Sequence, residues 1–129
     1  MPTAKARVLC VEADSDTCVL LSILLGRADY EVECVSTVAD ALRCARTRRF
    51  DLYLLDGLYP DGTGVELCER IRQFDTQTPV MFFSGLARDC DRQQSAAVGA
   101  RAYLIKPNDI DVLAGTVRRL IDEQVYAYV

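Results

Sequence analysis

Apolar positions along this chain follow two alternating patterns. Short runs, ARVLCV at 6–11, YEVECV at 30–35, LYLL at 52–55, VMFF at 80–83 and AYLI at 102–105, read as strands. Behind each comes a segment with helical spacing. Val19, Leu20, Ile23 and Leu24 form the stripe of the first, and Val38, Ala41, Leu42 and Ala45 that of the second. Leu67, Ile71 and Phe74 carry the third. A weaker, polar helix covers Cys90–Val98, and Ile110, Leu113, Val117, Leu120 and Ile121 form the last. Start signals agree: Thr37 with Asp40 resembles a capping box, Thr63 to Glu66 is a T-x-x-E box, and Asn108 is placed to cap the final helix.

The result is β-α repeated five times. Continuous apolar strands require cover on both faces, so the sheet is expected to be parallel. Right-handed crossovers then make a doubly wound α/β domain. The 129 residues suit a single domain over 1–129, its core about 6–124, with a short arm before it and the tail VYAYV after it.

Composition narrows the function. The net charge of −4 is well mixed, which argues against direct nucleic-acid or anionic-membrane binding. The basic cluster Arg43, Arg46, Arg48 and Arg49 reads as a solvated helix end. Cys10 and Cys34 fall in strand-like runs, and Cys18, Cys44 and Cys68 in helix-like ones. With no C-x-x-C pair and no histidine, a zinc site is not expected, and the six thiols read as small buried or half-buried groups in a reducing cytoplasm. The absence of histidine removes Ser-His and Cys-His nucleophilic machinery. No nucleotide-cradling glycine motif, signal peptide or membrane span is visible, so the expected location is cytoplasmic.

In a doubly wound sheet the chemistry sits beyond the carboxyl ends of the strands. The runs there end in Glu12, Asp56, Ser84 and Lys106. Together they suit a phosphoryl group: a carboxylate nucleophile, a metal-holding acid, a hydroxyl donor and a point charge.

LLDGLYPDGTG, FFSGLA and GARAYLIKP resemble the receiver domain of two-component response regulators, over nearly the whole chain. The resemblance implies a flavodoxin-like, CheY-like fold with strand order 2-1-3-4-5. It implies Asp56 as phosphoacceptor, Ser84 as the hydroxyl that contacts the phosphoryl group, and Lys106 as its cationic partner. Ser84 and Tyr103 would form the switch, and the Lys106–Pro107 bond would be cis. Mg²⁺ would be held by Glu12, Asp56 and the backbone carbonyl of Leu58. A histidine kinase or histidine phosphotransfer protein would be the phosphodonor, with an output partner that the residues do not name. A homodimer through the last helix-strand-helix face also follows from the resemblance. Such a protein assists its own phosphorylation and dephosphorylation and is not a conventional turnover enzyme.

One position departs from the pattern. The family has two adjacent acids after the first strand, and here they align with Glu12 and Ala13. A methyl group stands where a direct ligand is expected, so Mg²⁺ should bind weakly, with Asp14 as a further candidate ligand and Asp16 a first-turn acid of the helix. Leu58 and Leu86, at positions that often orient the attacking water in receivers, predict slow hydrolysis of any phosphoryl group. The alternative is a pseudo-receiver, an interaction module that works without Mg²⁺-dependent phosphorylation. A dehalogenase-type phosphatase fits poorly, because Asp56 is followed by Gly57 and Leu58 rather than by x-Asp.

Overall fold

Successive strand residues alternate between two apolar layers, and helices close both. The computed structural model describes residues 5–126. Its elements run β1 (Arg7–Val11), α1 (Ser15–Arg27), β2 (Glu31–Val35), α2 (Val38–Thr47), β3 (Leu52–Leu55), β4 (Leu58–Tyr59), β5 (Gly62–Thr63), α3 (Gly64–Arg72), β6 (Val80–Ser84), α4 (Asp89–Ala97), β7 (Ala102–Ile105) and α5 (Ile110–Tyr126). The main sheet is β2-β1-β3-β6-β7 with every pairing parallel. That is the expected order 2-1-3-4-5 for the five long strands.

Leu9, Val11, Tyr53, Leu55 and Phe82 point to the side covered by α2 and α3. Val8, Cys10, Leu52, Leu54, Met81 and Phe83 point to the other, against Leu21 and Leu25 of α1 and Leu113 and Val117 of α5. Thr37 and Thr63 accept the Asp40 and Glu66 N–H groups at 3.1 Å and so cap α2 and α3.

Several local expectations change. The stripe of α1 is rotated: Val19, Leu20 and Ile23 are exposed, while Leu21 and Leu25 are buried with Cys18 and Ser22 half-buried between them. Six of the seven residues from Val19 to Leu25 are apolar, so spacing alone does not select a face. Phe74 lies beyond α3, partly exposed, with the Arg46 guanidinium 5.2 Å from its ring centre. The polar helix is shifted by one residue, and Cys90 is exposed rather than buried. Asn108 is too early to cap α5; Asp109 directly precedes the helix, and its carboxylate accepts the Ile105 N–H at 2.8 Å. Val125 and Tyr126, expected in the tail, still belong to α5. Residues 1–4 of the arm and 127–129 of the tail lie outside the described residues.

The small antiparallel pair β4-β5 is additional. Asp61, in its turn, accepts the Val38 and Ala39 N–H groups at 2.8 and 3.0 Å, so the hairpin also satisfies the open start of α2.

Candidate functional site

Parallel pairing brings the carboxyl ends of β1, β3, β6 and β7 to one edge. Glu12 follows β1, Asp56 follows β3, Ser84 ends β6 and Lys106 follows β7. The Lys106 Nζ donates to Glu12 Oε2 at 2.6 Å and to Asp56 Oδ2 at 3.1 Å. Glu12 is only 3% exposed, and its other oxygen accepts the Asp14 N–H at 3.1 Å. Burial pushes the Glu12 carboxyl up, against the opposing pull of Lys106 and the Asp14 N–H. Burial by itself would lower the Lys106 ammonium, but Glu12 and Asp56 outweigh it and hold it above the ordinary lysine range.

Asp56 keeps a 16% exposed side chain, so its carboxylate is reachable from solvent. Its Oδ1 accepts the Gly57 N–H at 2.6 Å. Ser84 is fully buried, and its Oγ accepts the Leu86 N–H at 3.1 Å. A Cβ added at Gly57 would stand 2.6 Å from Ser84 Oγ and 2.7 Å from Leu86 Cδ1. The glycine therefore lets that hydroxyl approach the end of β3.

Tyr103 is half-buried. Its ring stacks on Phe82, centres 5.6 Å apart, and its hydroxyl donates to the Leu86 carbonyl at 2.5 Å. Burial raises the phenol, with the Ser84 hydroxyl acting against it. The aromatic tip is thus bonded to the loop after β6.

Residues 8–118 match the model of the response regulator receiver domain. The chain belongs to this family. It is 29% identical over 117 residues to the response regulator ArlR of Staphylococcus epidermidis, covering 91% of this chain and 53% of that protein. The chain spans about half the length of the curated relatives it matches. Among solved structures, a CheY-like receiver domain protein from Methanospirillum hungatei JF-1 superposes with a TM-score of 0.91 at 27% identity, over 96% of this chain and 99% of that one. The chemotaxis protein CheY4 of Vibrio cholerae superposes with a TM-score of 0.85 at 31% identity, over 91% and 99%.

Receiver domains generally bind Mg²⁺ for phosphorylation, and response regulators work with histidine kinases and output partners. In this receiver, Glu12 and Asp56 already converge on one cationic nitrogen and offer only oxygen donors, a set that fits a hard divalent ion. Ala13 is exposed and contributes nothing to that set. Asp14 is engaged elsewhere: its carboxylate caps α1, accepting the Thr17 N–H at 3.0 Å and the Thr17 hydroxyl at 2.6 Å. Those two bonds, the hydroxyl first, hold Asp14 below the usual carboxylate range. Leu58 has a 56% exposed side chain and lies in β4. The Lys106–Pro107 peptide is cis. No helix among the described residues is long and apolar enough to cross a membrane.

Tyr59 was not foreseen. It is 8% exposed, and its hydroxyl accepts the Asp56 N–H at 2.7 Å while donating to the Val11 carbonyl at 2.8 Å. The only signal in the sequence was a tyrosine three residues after Asp56.

Proposed function

We propose that this receiver accepts a phosphoryl group on Asp56 from a histidine kinase or histidine phosphotransfer protein. The observation that carries the reading is the single ammonium of Lys106 held between Glu12 and an accessible Asp56. Gly57 N–H engages Asp56 Oδ1 and Lys106 engages Oδ2, so Oδ2 becomes the attacking oxygen as Lys106 turns to the incoming phosphoryl group. Oδ2 bonds to phosphorus as the donor's leaving group departs in line. Lys106 then moves its contact from the carboxylate to a phosphoryl oxygen, and Ser84 Oγ donates to a second one.

Mg²⁺, when bound, supplies neutralisation of the phosphoryl charge; Glu12, Asp56 and the Leu58 carbonyl would hold it. Asp14 caps α1 through its Oδ2. Output would follow from Ser84 drawing the Leu86 loop, and with it Tyr103, into a new arrangement that a partner reads.

The pseudo-receiver reading has one observation in its favour: Ala13 offers no ligand, and Glu12 is already paired with Lys106. Intact-mass measurement after incubation with acetyl phosphate and Mg²⁺ separates the two. The phosphoacceptor reading expects one phosphoryl adduct, absent in Asp56→Asn and slow to form in Lys106→Ala. A wild-type chain that takes up none under these conditions belongs to the second reading.

A further inference from the structure

Beneath α1, on the aliphatic side of the sheet, three thiols meet. β1 and β2 pair with Cys10 directly opposite Cys34. α1 crosses above them and brings Cys18 to the same place. The three sulfur atoms lie within 4.8 Å of one another. We propose that Cys10, Cys18 and Cys34 form a three-thiolate site for a soft d¹⁰ metal cation, of which Zn²⁺ and Cu⁺ are the biological candidates.

The geometry is close to what such an ion needs. Metal–thiolate bonds of about 2.3 Å put three sulfurs around one trigonal ion roughly 4 Å apart. The thiols need to close by less than ~1 Å for that bond length, within reach of small side-chain rotations. The donors are all sulfur, which selects soft ions and rejects Mg²⁺, so the site is chemically separate from the oxygen cluster at Asp56.

Polar groups stand beside the three sulfurs. Ser22 Oγ stands 3.4 Å from Cys34 Sγ. Cys18 Sγ donates to the Glu12 carbonyl at 3.5 Å, and Cys34 Sγ to the Cys18 carbonyl at 3.7 Å. Cys10 is 1% exposed, whereas Cys18 and Cys34 are half-buried, and β2 lies at the edge of the sheet, so an ion has a route in. Zn²⁺ would leave a net charge of −1 on the three thiolates and take Ser22 or water as its fourth ligand. Cu⁺ would be satisfied by three.

A small buried thiol can simply fill space. Three of them brought within 4.8 Å of one another, with a hydroxyl beside them and leucines around them, make a donor set for a thiophilic ion.

The test uses the fully reduced chain with Cd²⁺ as spectroscopic probe, and Zn²⁺ and Cu⁺ by competition against chromophoric chelators. One equivalent of Cd²⁺ should produce thiolate-to-metal charge-transfer absorption in the ultraviolet. Cys18→Ser and Cys34→Ser should each weaken uptake by roughly 100-fold or more, since even outer-shell partners cost ~10–100-fold. Cys44→Ser and Cys90→Ser should leave it unchanged. Far-UV circular dichroism checks that each variant is folded, and both decisive substitutions are at half-buried positions that tolerate serine. Whichever of Zn²⁺ and Cu⁺ competes better names the occupant, and either result supports the site. Absence of the charge-transfer band in the reduced wild type overturns the proposal, as does undiminished binding by both Cys18→Ser and Cys34→Ser.

Discussion

The Tyr59 hydroxyl accepts the backbone N–H of Asp56 at 2.7 Å, so a phenol anchors the main chain at that carboxylate. The same hydroxyl donates to Val11 at the end of β1, tying the two strands that carry Asp56 and Glu12. Tyr59→Phe keeps the ring and deletes both bonds. The Asp56 N–H still reaches Val11 O at 3.2 Å, so the loss should be moderate, about 1–2 kcal/mol. Urea denaturation should show a lower midpoint with an unchanged slope. Under the proposed function, phosphorylation of this variant should also slow, because the acceptor carboxylate is less well held.

Gly64 admits no side chain. A Cβ there would lie 2.1 Å from the Asp56 carbonyl oxygen and 2.5 Å from the Phe82 ring. The close approach lets the Gly64 N–H reach the Gly57 carbonyl at 2.9 Å and seats the start of α3 against the turn after β3. Gly64→Ala must displace backbone rather than a flexible tip, so the cost should fall at the upper end of the ~1–3 kcal/mol typical of overpacking. A variant as stable as wild type by thermal melting would contradict this packing.

Much of this arrangement was legible in the residues alone. Five apolar runs with polar residues at their ends placed Glu12, Asp56, Ser84 and Lys106 on one edge, because parallel pairing leaves them no other place. What escaped reading depends on contacts between distant segments. Asp61 caps a helix whose first residue is 23 positions earlier, and Tyr59 turns inward only because the hairpin folds it under Asp56. Cys10, Cys18 and Cys34 have no metal-ligand spacing; strand register aligns two of them and a helix crossing adds the third. The buried face of α1 was obscured by leucines on every side.

Asp75 predicts an acid-sensitive contribution to stability. Its carboxylate accepts the Thr78 and Gln77 N–H groups at 3.0 and 3.1 Å and the Tyr53 hydroxyl at 2.9 Å. Burial alone would raise it, but these donors hold it below the ordinary carboxylate range. A carboxylate whose folded pKa is depressed contributes stability above its unfolded value, near ~3.9, and loses it as pH falls through the folded value. Asp75→Asn should therefore be less stable than wild type at neutral pH, and the difference in melting temperature should shrink below about pH 4. A difference that stays constant between pH 7 and pH 3 would refute the assignment.

Under the proposed function, Leu58 and Leu86 predict a long-lived phosphoryl group on Asp56. Leu58 is 56% exposed beside the acceptor, and Leu86 packs against Gly57. Neither side chain can hydrogen-bond a water attacking phosphorus, and both tend to exclude it. The double variant Leu58→Asn, Leu86→Glu should lose its phosphoryl group faster than wild type when decay is followed by mass spectrometry. Equal decay rates would mean that other groups set the lifetime.

Ala13 gives the sharpest test of the metal site, because it stands exposed where the family pattern has an acid. Restoring a carboxylate adds one negative charge close to where Glu12 and Asp56 converge. At ~4 Å and an effective dielectric near ~20 that charge attracts a divalent ion by several kcal/mol, and ordering and desolvation reduce the net gain to about 1–2 kcal/mol. Ala13→Asp should then bind Mg²⁺ roughly tenfold more tightly, as read by titration calorimetry. It should also phosphorylate faster from acetyl phosphate. Without metal the variant should be slightly less stable, because the new acid crowds Glu12, whose carboxyl burial already pushes up, and Asp56. Saturating Mg²⁺ should restore that loss by mass action. Unchanged Mg²⁺ affinity would show that the ligand position is already filled. Asp14, whose Oδ2 caps α1, is then the next residue to test: Asp14→Ala would weaken Mg²⁺ binding in that case and leave it unaltered otherwise.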